Sequence, residues 1–380
     1  MAKNENIKEL GVLTEKQLEE FEERRKNQGK YWQDRAERVY QAGEKDALQV
    51  AKELKASYER SVKEIEKEIN AFYGKWALKE GVSYAEAQKL LNRKELKEFK
   101  SYIEEMLKMG EKANFTSEEL RKFKILYGKA RISRLDELQA NIRFELDKLA
   151  SMTEEQIHDM LYRSYENSYY QTVFNVQQFN GFASSFSGLN TAVIEKAIAT
   201  KYLKENYSQR IWKNTDKLMS ILEQEIPRGL EQGFNPKKLA SEIVSKRIDQ
   251  TAYNNTVRLI RTEYNKVLND ATLEGYRAAG IEQYEICSAL EQTERTCKNC
   301  QHLDYRTSHK AYYLNEAAVG ITFPPFHSNC RCTTIAHFEE DEIDKMSTDE
   351  LSKIGFITYD DWKNGLVRLE NDKVIYKGGE

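Results

Sequence analysis

Two short runs decide how this chain reads: Cys297-Lys-Asn-Cys300 and Phe323-Pro-Pro-Phe-His327-Ser-Asn-Cys330-Arg-Cys332. Four of the five cysteines and three of the five histidines fall between Cys297 and Cys332. Two clusters of soft ligands joined by a loop can meet in space and close a tetrahedral site. Zinc suits such a site, because thiolate and imidazole match a borderline-soft ion with no geometric preference of its own. The plainer alternative is that these cysteines are small buried apolar residues close in sequence, as free cysteine often is. Cys287, alone in an apolar run, fits that description. For the other four, paired spacing on both sides of the loop favours a metal.

The composition sets bounds on the rest. At 380 residues the chain can form two or three domains. Charged residues make up 32% and there are only 4 prolines, which points to long solvated helices. The net charge of -3 means that any contact with nucleic acid is a local patch, not a global attraction. The opening Met-Ala-Lys-Asn-Glu-Asn is polar and does not read as a signal peptide. No apolar run is long enough to span a bilayer. Clustered cysteines without a secretion signal favour metal over disulfides, and hence assembly in a reducing cytoplasm.

Taken in order, residues 1–150 read as an extended, charged helical region. Thr14-Glu-Lys-Gln17, Ser83-Tyr-Ala-Glu86, Thr116-Ser-Glu-Glu119 and Thr153-Glu-Glu-Gln156 have the pattern of capping boxes. Gly81 and Gly110 stand where helices would stop. The stripe of apolar residues from Asp46 to Tyr73 is narrow, which suits a helical hairpin or coiled-coil arm. Tyr31, Trp32, Tyr40, Tyr58, Tyr73 and Trp76 read as packing anchors along it.

Residues 151–230 read as a helical linker domain. Tyr162, Tyr165, Tyr169, Val173 and Val176 share one helix face, a break follows at Asn180-Gly181, and Ser184 to Gly188 reads as a loop. Helices resume near Asn190 and at Asn214 to Glu225. Asn235-Pro236 offers an N-cap and a first-turn proline for a helix from Lys237 to Arg247. A longer helix runs from about Ala252 to Ala279 and stops at Gly280. One face of it carries Tyr253, Val257, Ile260, Tyr264 and Val267. Another carries Arg258, Arg261, Thr262, Asn265 and Asn269, with Glu263 beside them. That polar face could hold an anion, or more plainly brace the neighbouring loop. Gln283 to Ala289 and Cys330 to Ala336 then read as strands. The expected fold class is therefore mainly α: a long N-terminal helical hairpin or coiled coil, then a helical C-terminal domain carrying a small β-hairpin zinc module. Residues 231–338 form that domain, and 339–380 form an acidic tail able to pack a helix back onto the body.

Gly233-Phe-Asn-Pro236, Ile260-Arg-Thr-Glu-Tyr-Asn265, Arg295-Thr-Cys-Lys-Asn-Cys300 and the Phe323 to Cys332 run together resemble one family. It is the phage minor head proteins, the Mu F-like head morphogenesis group. The resemblance covers about Leu230 to Ala336; the helical half before it is similar in character to minor capsid proteins of phages and prophages of Gram-positive hosts. It implies a structural protein rather than an enzyme, placed inside the procapsid near the portal and assisting head assembly, DNA packaging or ejection. The implied partners are the portal protein and capsid components, with non-specific DNA contact and no membrane. The implied location is the host cytoplasm during assembly and then the interior of the virion head. The resemblance also implies a structural zinc module, with candidate ligands at Cys297, Cys300, His327, Cys330 and Cys332. Ser328 stands where the family often has proline, and Tyr305 where glycine is usual. Neither change removes a ligand.

Five candidates compete for four places. Cys330 and Cys332, two apart on a strand, would face the same side and could both reach one ion, leaving His327 as an orienter. If His327 binds instead, one thiol stays out. The sequence leaves both open. His302 and His309, on the intervening loop, read as exposed. Two further functions are weighed. A DNA-binding module could draw on Lys237, Lys238, Lys246, Arg247, Arg258 and Arg261. A metal-dependent nuclease, or a toxin-type enzyme such as the ADP-ribosyltransferases fused to some members of the family, finds less support. Glu291, Glu294 and Asp304 lack the paired spacing of general acid–base work, and there is no glycine-rich phosphate loop.

Overall fold

The computed structural model describes residues 13–80, 134–181, 184, 186–231, 234–288, 297–339, 342–343, 357–365, 367–370 and 373–376. The expected caps at Ser83 and Thr116 and the stops at Gly81 and Gly110 lie outside these residues. The fold is mainly helical, as expected. The chain divides into two compact units: Met1–Val50 with Gln156–Tyr207 and Val257–Glu380, and Ala51–Glu155 with Ser208–Thr256.

Helix α1 spans Glu15–Lys26 and opens on the Thr14 box, in which Gln17 N–H donates to Thr14 Oγ1 and Thr14 N–H donates to Gln17 Oε1. Helix α2 runs 53 residues, Gln28–Glu80, and α3 runs 47, Arg134–Asn180, stopping where Gly181 adopts a φ of 84°. Thr153 does not cap a new helix. It lies inside α3, and its hydroxyl donates to the Leu149 carbonyl one turn back. A buried threonine can satisfy itself this way without ending the helix, so the box pattern alone does not impose a boundary.

In the second unit, Leu54, Tyr58, Ile65, Ile69 and Phe72 bury the narrow stripe of α2. Tyr58 Oη and Thr256 Oγ1 share a hydrogen bond of 2.7 Å there. Lys238 N–H donates to the Asn235 side chain, giving the expected cap on the short helix Pro236–Leu239. The two separate helices expected after it are instead continuous. The backbone winds through a π-helical run, Ala240–Ala252, straight into the helix Tyr253–Ala278. No glycine or proline stands between Asp249 and Ala252, so nothing in the sequence breaks the turn.

The first unit is built around residues 259–276 of that last helix, which are buried on nearly every side. Tyr264 Oη donates to the Tyr40 carbonyl, and α2 comes so close that a Cβ on Gly43 would lie 2.3 Å from that oxygen. Tyr31, Trp32, Phe179 and Phe338 interlock beside it, with Phe179 stacked on Phe338 at 4.9 Å. A side chain of this kind, fully buried, stabilises by about 1.5–3 kcal/mol. Against this core lies a three-stranded antiparallel sheet rather than a lone hairpin: β2 (Gln283–Cys287) at the centre, β3 (Ala311–Tyr313) and β4 (Thr333–His337) on either side.

A second sheet joins distant parts of this unit. Phe186–Ser187, within the expected loop, pairs with Lys373–Tyr376, which pairs in turn with Val367–Glu370. The tail does pack a helix back. Trp362, on the helix Tyr359–Gly365, is fully buried, and its indole N–H donates to Gln177 Oε1.

Candidate metal centre

Cys297 begins the site as an N-cap. Its extended backbone starts the short helix Lys298–Leu303, and its sulfur accepts the Cys300 N–H at 3.4 Å. One turn of helix therefore turns both thiols to the same side, the local reason for the two-residue spacing. On the other arm, Asn329 takes a left-handed φ of 61°, and Cys330 N–H donates to the His327 carbonyl to close a tight turn. Asparagine tolerates that conformation better than most residues. The turn brings His327 and Cys330 back toward the first arm.

The five candidates converge. His327 Nε2 lies 3.4 Å from Cys297 Sγ and 3.2 Å from Cys300 Sγ. The ligand atoms of Cys297, Cys300 and His327 all lie within 4.8 Å of one another, and so do those of Cys300, Cys330 and Cys332. Thiolates held tetrahedrally around one ion sit about 3.8 Å apart. The donor set and its spacing therefore fit a metal ion. Cys330 and Cys332 do not reach the site from a strand, as the sequence suggests, because β4 begins only at Thr333. They meet Cys300 from the loop that enters it, each about 1% exposed.

Electrostatics follow the same geometry. Burial would lower the His327 imidazole, but the Ser328 carbonyl and the neighbouring thiols outweigh it and raise it. Nδ1–H donates to that carbonyl at 2.9 Å, which leaves Nε2 facing the sulfurs. Hydrogen bonds from Cys300 and Cys332 hold the Cys330 thiol far below its usual range. The same bond raises Cys300 in turn. Crowding thus favours thiolate at Cys297 and Cys330 and disfavours it at Cys300 and Cys332, and a cation among them would relieve that repulsion.

The polar helix face divides. Thr262 Oγ1 accepts the Asn329 N–H at 3.0 Å, while Asn265 and Asn269 both donate to the Cys332 carbonyl, at 2.8 and 3.1 Å. These three residues brace the loop that carries His327, Cys330 and Cys332. Arg258 is exposed, Arg261 is half-buried, and Glu263 is fully buried. His302 is exposed and His309 caps a short helix in a left-handed conformation. Among the basic candidates, Lys237, Lys238 and Lys246 are exposed, and Arg247 is ion-paired with Glu225. Glu291 and Glu294 lie outside the described residues.

Sequence reasoning missed one clamp. Asp304, fully buried, accepts hydrogen bonds from the backbone and hydroxyl of Ser288 and from the backbone and guanidinium of Arg306. Burial would raise its carboxyl, yet these donors lower it. The clamp ties the segment after Cys300 to the end of β2. Tyr305, in place of the usual glycine, begins the helix Tyr305–Ser308 and donates to Gln33 Oε1. An Asp-x-Arg spacing is the only sequence signal for the clamp, and it is weak.

Residues 220–335 match the family described as Phage Mu protein F like protein. The matched segment takes in the helix Tyr253–Ala278 and the whole Cys/His cluster. The NAD(+)--arginine ADP-ribosyltransferase EFV of Enterococcus faecalis is 22% identical over 247 residues, 63% of this chain and 50% of that protein. The chain thus spans about half the length of the curated relative it matches. No solved structure matches. Among the described residues, no helix is long and apolar enough to cross a membrane.

Proposed function

We propose that this protein is a minor head component held inside the procapsid near the portal, where it assists head assembly and DNA packaging or ejection. Its Cys/His cluster holds one structural zinc ion. The observation that carries this reading is the coincidence of the family match over 220–335 with the converging donors Cys297, Cys300, His327, Cys330 and Cys332. A set supplied wholly by protein leaves no coordination place for a reacting water, which suits a structural ion better than a catalytic one. The ion would tie two loops together, while Thr262, Asn265 and Asn269 fix the second loop to the helix Tyr253–Ala278.

The named activity of the enterococcal relative is not carried over. The chain spans only half of that protein at 22% identity, and the family matched over residues 220–335 of this chain points to a head protein instead. Incubation with labelled NAD and an arginine-containing acceptor is expected to leave the acceptor unlabelled; transfer would make the protein an enzyme. The test of the main reading is quantitative mass spectrometry of purified particles before and after DNA release. A few copies per particle support a place at the portal, and their loss with the DNA marks an ejected component. Absence from particles would overturn it.

A further inference from the structure

A small cavity of 20 Å³ opens in the first unit, lined by Trp32 and Arg35 of α2, Asn175 of α3, Thr272 and Tyr276 of the central helix, and Thr334 of β4. Its volume exceeds the roughly 10–15 Å³ that one water-sized occupant needs. Three polar atoms of its lining residues have no hydrogen-bond partner: Trp32 Nε1, Arg35 Nε and Thr334 Oγ1. Trp32 is 3% exposed and Thr334 1%. Leaving a buried donor unsatisfied costs about 1–3 kcal/mol, so three on one cavity point to an occupant.

The chemistry of the lining selects that occupant. Indole N–H can only donate, and so can the guanidinium Nε–H. The Thr334 hydroxyl is free to donate as a third. The hydroxyl protons of Thr172, Thr272 and Tyr276 are committed, to the carbonyls of Ser168, Leu268 and Thr334. No carboxylate lines the cavity. The Arg35 guanidinium lies 3.6 Å over the Tyr31 ring and donates to the neutral Gln178 amide, so its hydrogen-bonded partners leave its charge uncompensated. We propose that this cavity is a binding site for a single chloride-sized monovalent anion, held by the N–H groups of Trp32 and Arg35 and the hydroxyl of Thr334. The anion joins α2 to the sheet.

A ligand at free concentration c that binds only the folded chain raises its stability by RT ln(1 + c/Kd), a rise that continues logarithmically above Kd. Melting of the full chain in sodium chloride against sodium gluconate, at matched ionic strength, is expected to show a rise of a few degrees in chloride that grows with the logarithm of its concentration. Arg35→Gln and Trp32→Phe should each abolish the difference between the two salts. Should either variant not fold, Thr334→Val, which removes only the hydroxyl, should weaken the chloride response. In wild-type crystals grown in bromide, an anomalous peak is expected between Trp32 and Arg35. Equal melting in the two salts, an unchanged chloride response in Arg35→Gln, or a refined water with no bromide signal would each overturn the proposal.

Discussion

The Cys/His loop and the sheet beside it lie in one unit, yet are held by different forces. The sheet belongs to a large apolar cluster in which Tyr284, Ile286, Phe323 and Ile335 sit with Trp32, Phe179 and Phe338. The thiol cluster itself has only Cys300, Cys330, Cys332 and a partly buried Phe326 that also packs against the large cluster. Burial accounts for the first. For the second it cannot, because thiols in so small a cluster bury too little surface to offset the entropy of ordering two loops. The ligand-bearing stretches are instead held by hydrogen bonds to the helix Tyr253–Ala278 and, on the function proposed above, by ligation.

Removing the metal should separate the two regions most sharply. Structural zinc contributes on the order of 10 kcal/mol. A strong chelator is thus expected to melt the two ligand-bearing stretches, 297–303 and 326–332, seen as fast amide exchange there, while β3, Phe323 and the rest of the aromatic core keep their protection. Next in size is Asp304→Ala. It leaves Arg306 and the Ser288 N–H without their buried acceptor and should cost about 3–5 kcal/mol in chemical denaturation. The same carboxyl gives the loop a pH dependence. Its folded pKa lies below the unfolded value, so its contribution is complete above about pH 4 and is lost as pH falls through the folded pKa. Asp304→Asn should flatten that acid limb of the stability curve.

Gly43→Ala attacks the other region. The new methyl would sit 2.3 Å from Tyr264 Oη, and overpacking of this kind costs about 1–3 kcal/mol. The melting temperature should fall while metal affinity stays unchanged. Smallest is Asn265→Ala, expected to cost about 1 kcal/mol because Asn269 still reaches the Cys332 carbonyl. Competition with a chelating dye should show weaker metal binding in that variant, and weaker still with Asn269→Ala added. An unchanged affinity in the double variant would show that the helix does not position the loop.

Much of this arrangement was legible in the sequence, for local reasons. The caps at Thr14 and Asn235 and the stop at Gly181 depend on neighbours in the chain, and each is formed. Thr262, Asn265 and Asn269 share a face because of helical periodicity, and they brace the adjacent loop as the plainer reading expected. What could not be read depends on distant partners. Phe186 pairs with Val374 across most of the chain's second half, a contact that no local pattern encodes. Thr153 carries a capping pattern that burial overrides. Cys330 and Cys332 look like alternating strand residues, yet the ladder with β2 begins only at the pair Cys287 and Thr333.

The central claim is that the Cys/His cluster is a closed structural metal site. X-ray absorption on the full chain, purified without chelator or affinity tag, tests it most directly. The account predicts one zinc ion per chain with four protein ligands, sulfur at about 2.3 Å and any nitrogen at about 2.0 Å, and no oxygen in the shell. A chain that folds fully without metal, or an ion carrying an exchangeable water, would contradict it.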